Sequence, residues 1–95
     1  MFMLSERLRC LREAEGMTQV ELAKILSVSK QSVSNWENDN IQPSIDMLVK
    51  ITNVFSVSAD YLLGIDTRRY IEVTDLTEKE IAHIRLIIQD IKQDR

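Results

Sequence analysis

Apolar side chains recur at helical spacing in short segments along the chain. Leu4, Leu8 and Leu11 follow an i, i+4, i+7 pattern, which predicts a first helix from about Ser5 to Glu15. Gly16 is the residue expected to end this helix, because glycine readily adopts the left-handed conformation found after helix C-termini.

Capping residues mark where the next helices begin. Thr18 is followed three residues later by Glu21, and this capping box opens a second helix. Its apolar side consists of Leu22, Ala23 and Leu26. Ser29 is the expected N-cap of a third helix that continues to about Asn38.

Two further helices follow a polar loop. Pro43 and Ser44 open a fourth helix, and Ser58 caps a brief fifth helix that Gly64 closes. The predicted buried side of the fourth helix is formed by Ile45, Leu48, Val49, Thr52 and Phe55.

The pattern changes after Gly64. The segment from Ile65 to Asp75 is either an extended linker or a short strand, since Tyr70 to Val73 alternate in polarity. A second capping box, Thr77 with Glu80, opens a last helix that runs to about Gln93. The predicted organisation is therefore a domain over residues 1–64, a linker over 65–76 and a C-terminal helix over 77–95.

An isoleucine stripe follows one side of the last helix. Its members are Ile81, Ile84, Ile87, Ile88 and Ile91. Four of them are spaced 3, 4 and 3 residues apart, as in a coiled-coil seam, and Ile87 widens the stripe. The helix either pairs with its copy in a dimer or folds back onto its own domain. We favour the dimer, because so short a helix is not stable alone in water.

The charge and composition of the chain limit the classes of function that it can have. The formal net charge of −3 gives little general attraction for nucleic acid, so any binding must depend on a few well-placed groups. Cys10 is the single cysteine, expected at the edge of a buried face, and it fits a reducing cytoplasm. No segment is apolar and long enough for a membrane span. His83 stands alone, and the chain offers no nucleophile with its base and no glycine-rich phosphate loop, so we expect no metal, cofactor or enzyme activity.

One face of the third helix has the chemistry of a DNA-reading surface. On a helical wheel, an arc of roughly 140° opposite the apolar side of the helix contains five polar residues. They are Lys30, Gln31, Ser34, Asn35 and Asn38. Gln and Asn can hydrogen-bond adenine in a bidentate manner, and Lys can reach guanine. A solvated surface helix has the same pattern, so the face alone leaves both interpretations open.

The surrounding sequence resembles a known family. Residues 19–38 read QVELAKILSVSKQSVSNWEN, and residues 57–64 read VSADYLLG. Over about residues 4–64 the chain resembles the Cro/CI-type phage repressors and the wider XRE family of bacterial regulators. The resemblance implies an all-α fold, a five-helix lambda-repressor-like DNA-binding domain, here with an additional C-terminal helix. Ser27 departs from the family, which often has Gly there, so the turn is either shaped differently or slightly strained.

The resemblance also implies roles for individual residues. The residues that would face base edges are Lys30, Gln31, Ser34 and Asn35. The residues that would hold phosphates are Gln19, Ser29 and Asn38. Arg12 would form an ion pair with Glu37. The implied function is transcriptional regulation, most simply repression, by a homodimer on a palindromic operator in double-stranded DNA. Two alternatives remain: an antitoxin-like protein whose last helix binds a toxin or antirepressor, and a scaffold domain without a role on DNA.

Overall fold

The computed structural model describes residues 2–95, and within that range every regular element is a helix. The helices are α1 (Phe2–Ala14), α2 (Gln19–Leu26), α3 (Lys30–Glu37), α4 (Ile45–Phe55), α5 (Ala59–Leu62) and α6 (Glu78–Gln93). The predicted all-α fold with five helices and an additional C-terminal helix is confirmed. Residues 65–76 contain no strand, so the strand alternative is wrong. Met1, the first residue of the predicted domain, lies outside the described residues.

Side-chain caps set the helix starts as predicted. The Thr18 hydroxyl accepts the Glu21 backbone N–H at 3.1 Å, and the Glu21 carboxylate accepts the Thr18 backbone N–H at 2.9 Å. That backbone hydrogen bond lowers the pKa of the Glu21 carboxyl, because it stabilises the charged form. Thr77 and Glu80 form the same reciprocal pair at the start of α6. Single serines cap the three helices between them: Ser29, Ser44 and Ser58.

The core lies where α1 to α5 meet. It is formed by Leu4, Leu8, Leu11, Leu22, Ala23, Leu26, Val33, Trp36, Ile51, Phe55 and Leu62. Trp36 is buried, so it is a packing residue and not a stacking platform for bases. Among the described residues, α6 contributes none to this core.

Two local predictions about α1 were wrong. Helix α1 begins at Phe2 rather than Ser5, since Leu4 must be helical to reach the core one turn before Leu8. Cys10 is exposed, because the buried side of α1 turns away from it.

On α4 the buried side is rotated from the predicted one. Ile45 and Val49 are 79% and 55% exposed, whereas Ile51 is fully buried. The helix carries apolar residues over a wider arc than its neighbours cover, and only contact with those neighbours selects the buried part. The residues that face inward with Ile51 are Met47, Leu48, Val54 and Phe55.

The turn between α2 and α3 keeps a left-handed conformation without glycine. Ser27 has φ 59° and ψ 44°. The following N–H, of Val28, donates to the Ala23 carbonyl at 2.9 Å, which satisfies the end of α2. A left-handed non-glycine residue costs about 1–2 kcal/mol. Of the two expectations for this turn, strain at Ser27 is the one that agrees with the geometry.

A buried ion pair joins the first three helices. The Glu37 side chain at the end of α3 is 0% exposed, and Arg12 Nε lies 2.6 Å from its Oε2. Arg12 Nη2 also donates to Glu37 Oε1 at 3.0 Å, and Gln19 Nε2 donates to the same oxygen at 3.2 Å. The hydrogen bond to Glu37 raises the pKa of the Arg12 guanidinium. The ion pair implied by the family resemblance is therefore present.

The linker leaves the domain beside Tyr61. The Arg7 guanidinium lies 4.2 Å from the centre of the Tyr61 ring, and the Arg69 guanidinium lies 5.0 Å from it. Arg7 Nη1 also donates to the Tyr61 carbonyl at 2.7 Å. The Arg69 cation–π contact therefore holds the linker against α5, and the Arg7 contact joins α1 to the same ring.

None of the helices within residues 2–95 is both long and apolar enough to cross a membrane.

Removing the buried carboxylate should destabilise the domain strongly. We expect Glu37→Ala to lower the free energy of unfolding by about 3–5 kcal/mol, because Arg12 would stay buried without its partner. Urea unfolding followed by circular dichroism measures the change. Glu13→Ala is the matched control, since Glu13 lies 3.7 Å from Arg12 but is 62% exposed, and it should cost less than about 1 kcal/mol. Equal, small losses in both variants would contradict the structural role of Glu37.

Glycine at the turn should stabilise the domain. Ser27→Gly is expected to raise the free energy of unfolding by about 0.5–1 kcal/mol, because relief of the left-handed strain exceeds the added entropy of the unfolded chain. Lys50→Gly, at an exposed position inside α4, should lower it by about 1 kcal/mol. The prediction fails if Ser27→Gly melts at a lower temperature than the unmodified protein.

Candidate nucleic-acid interface

Helix α3 separates its polar and apolar sides as the helical wheel predicted. Val33 and Trp36 are buried against α1 and α2. Lys30 and Gln31 are exposed on the opposite side, and Ser34 and Asn35 are half-buried beside them. The structure thus brings the four predicted base-facing residues together on one side of a single eight-residue helix.

Hydrogen bonds connect the polar side chains of α3 in pairs one turn apart. Gln31 Nε2 donates to Asn35 Oδ1 at 3.0 Å. Asn38 Nδ2 donates to Ser34 Oγ at 3.2 Å. These contacts restrict the rotamers of long, otherwise mobile side chains.

Each of the three predicted phosphate-binding residues has a structural partner. Gln19 is half-buried and donates to Glu37. Ser29 caps α3 through the Ser32 N–H at 3.1 Å. Asn38 lies at the C-terminal end of α3 and contacts Ser34. The three side chains therefore lie at the start of α2 and at the two ends of α3.

Arg9 belongs to this surface, although the sequence analysis did not single it out. Its Nη2 donates to Asn38 Oδ1 at 3.1 Å, and its Nε lies 3.6 Å from Glu37 Oε1. The side chain is 46% exposed. One signal could have identified it, since Arg9 precedes Arg12 by one helical turn and so shares its side of α1.

Local charge on α3 is favourable in spite of the net charge of the chain. Lys30 and Glu37 are the charged residues of this helix. Glu37 is enclosed and paired with Arg12, so its charge is neutralised inside the domain. The exposed face of α3 therefore carries the positive charge of Lys30 beside neutral amides and hydroxyls, with no carboxylate to repel a phosphate backbone.

The isoleucine stripe of α6 lies partly against the linker. Ile81 and Ile84 are half-buried, and together with Ile88 they line a groove that the linker residues Arg69 to Ile71 and Val73 also border. Ile87, Ile88 and Ile91 are 46%, 40% and 52% exposed. The stripe thus remains largely open to solvent along the second half of the helix.

No group of His, Cys, Asp and Glu side chains in the described part of the chain is placed to hold a metal ion.

Comparison with known proteins identifies the family. A family model described as helix-turn-helix matches residues 8–62. The HTH-type transcriptional regulator ImmR of Bacillus subtilis is 38% identical over 91 residues, which are 96% of this chain and 69% of ImmR.

Solved structures with the same fold include DNA-bound and protein-bound regulators. The c2 repressor of phage P22, in complex with a synthetic operator, superposes with a TM-score of 0.63 at 32% identity over 66% of this chain and 96% of that one. A chain of the SinR protein/SinI protein complex superposes with a TM-score of 0.61 over 97% of this chain and 99% of that one. At 22% identity this second match concerns the fold, and it extends over the region of α6.

The family model covers α2, α3 and the turn between them, and ImmR matches nearly the whole chain, so the protein belongs to the helix-turn-helix family of DNA-binding transcriptional regulators of the Cro/CI (XRE) type.

Proposed function

We propose that this chain is a repressor that binds a palindromic operator in double-stranded DNA as a homodimer. It acts in the cytoplasm, without catalysis and without a cofactor. Residues 1–64 form the DNA-binding domain, residues 65–76 the linker and residues 77–95 the dimerisation segment.

The observation that carries this proposal is the exposed face of α3. Lys, Gln, Ser and Asn side chains are aligned there, and the single acid of the helix is buried and paired. Major-groove base edges present donors and acceptors in patterns that these side chains match. Lys30, Gln31, Ser34 and Asn35 are the proposed base contacts.

Backbone contacts would orient the helix in the groove. Gln19, Ser29 and Asn38 lie around α3 with amide or hydroxyl groups that can donate to phosphate oxygens. The P22 c2 repressor, which shares this domain, is bound to an operator in its structure, and this supports the same orientation here.

Dimerisation supplies the affinity that one domain lacks. A protein with a net charge of −3 gains little from general attraction to DNA. Joining two domains can add a factor of about 10² to 10⁴ in affinity. It also places two α3 helices about 34 Å apart, one turn of DNA. The isoleucine stripe on α6 is the proposed joint, formed by Ile81, Ile84, Ile87, Ile88 and Ile91, of which the last three are exposed.

The alternative is that α6 binds a different protein, such as a toxin or an antirepressor. The same exposed stripe favours it, since an apolar helix face can accept an unlike partner as well as its copy. A monomeric chain with an unaltered fold would favour this alternative.

Selection from random duplex DNA tests the proposed function. We expect the unmodified protein to enrich a palindrome. Gln31→Ala should lose about 1–3 kcal/mol of discrimination at one base pair of each half-site, because a bidentate contact is removed. Thermal melting checks that the variant remains folded. Failure of the unmodified protein to enrich any sequence would refute the proposal, and an unchanged preference in folded Gln31→Ala would exclude Gln31 as a base contact.

Charges on the exposed stripe should separate the dimer. The double variant Ile88→Lys/Ile91→Lys is expected to be monomeric in light scattering and to bind a whole operator no better than a half-site. Leu86→Lys is the matched control, since Leu86 is also exposed but lies on the other side of α6, and it should remain dimeric. A double variant that stays dimeric would place the interface elsewhere.

A further inference from the structure

The hydrogen bond between Gln31 and Asn35 links two side chains that the proposed function treats as separate base contacts. Gln31 is exposed and has a long side chain, whereas Asn35 is half-buried near the end of α3. The donor is Gln31 Nε2 and the acceptor is Asn35 Oδ1, at 3.0 Å. The hydrogen-bond donors and acceptors that each side-chain amide still has available for a base depend on this contact.

Asn35 is the better fixed of the two residues. Its backbone carbonyl accepts the Asn40 N–H at 2.9 Å and the Ile41 N–H at 3.4 Å, so the chain that leaves α3 is tied to it. Its side chain has one rotatable bond fewer than that of Gln31. Asn35 is therefore able to orient Gln31.

The remaining hydrogen-bonding groups of Gln31 fit adenine. With one Nε2 hydrogen directed to Asn35, Gln31 retains a free Oε1 acceptor and one N–H donor. Adenine presents an N6 donor and an N7 acceptor in the major groove, which this pair matches. Guanine presents two acceptors, O6 and N7, and the Gln31 oxygen would repel one of them. Asn35, whose oxygen is already accepting, offers mainly N–H groups.

We propose that Gln31 and Asn35 read DNA as one coupled unit, in which Gln31 bonds the adenine of an A·T pair and Asn35 is its positioning residue. This inference rests on the proposed function and specifies the base that α3 selects. Holding Gln31 in place before binding saves the cost of ordering a long side chain at the interface, a cost that corresponds to a factor of about 2 to 12 in affinity.

A base-by-base affinity measurement tests the coupling. Operators with all four base pairs at each position would be titrated with full-length Gln31→Ala, Asn35→Ala and the double variant. We expect both single variants to lose preference at the same A·T pair, by about fivefold or more. The double variant should lose no more than Gln31→Ala does. The unmodified protein should favour A·T at that position.

Two further variants separate positioning from other roles. Asn35→Asp keeps an oxygen that can accept from Gln31, so it should retain the adenine preference while binding all sequences more weakly through its negative charge. Ser34→Ala combined with Gln31→Ala should be additive, because the Ser34 oxygen is bonded to Asn38 instead. If Asn35→Ala does not fold, Asn35→Asp is the variant that tests the positioning role of Asn35.

Different results would refute this inference and the proposed function. If Asn35→Ala alters preference at a different base pair and its effect adds to that of Gln31→Ala, Asn35 reads its own base and the coupling is refuted. If Asn35→Ala changes no preference, or if Gln31 selects guanine, the inference is equally overturned. Absence of any base preference in the unmodified protein would instead overturn the proposed function, and the inference with it.

Discussion

The buried carboxylate of Glu37 is the interaction on which the arrangement of the first three helices depends. It ends α3, and it is held by Arg12 of α1 and Gln19 of α2. Burying an acid is costly unless its charge is paired and its oxygens are hydrogen-bonded, and here both oxygens have donors. The same contact fixes the angle of α3 and removes a negative charge from its surface, so structure and DNA-binding chemistry share one residue.

Helix α3 has to satisfy two demands within eight residues. Its inner side, Val33 and Trp36, anchors it in the core, and its outer side is left polar and free for DNA. The polar side is ordered by contacts between neighbouring turns, Gln31 with Asn35 and Ser34 with Asn38. Because these side chains are already paired in the free protein, they lose less conformational freedom on binding DNA than unpaired side chains would.

Much of this architecture follows from local sequence signals. The capping boxes at Thr18 and Thr77 and the serine caps act within three or four residues, so the starts of α2 to α6 were predictable from the sequence. The polar face of α3 was predictable for a similar reason, since helical periodicity alone places Gln31 on the side of the helix opposite Val33. The pairing of Arg12 with Glu37 did not follow from spacing, and it was expected from family resemblance.

The tertiary structure decided which residues are buried and which are in contact wherever these features depend on neighbouring helices. Helix α4 has more apolar surface than the core can cover, so the positions of the adjoining helices left Ile45 and Val49 in solvent. Arg9 acquired its contact with Asn38 because α1 packs against α3, and a separation of 29 positions in the sequence conceals this proximity. The sequence by itself determined where α2 to α6 begin and which faces are polar, because those effects are local. Which apolar faces are buried and which distant side chains meet was decided by packing, because burial depends on what lies opposite.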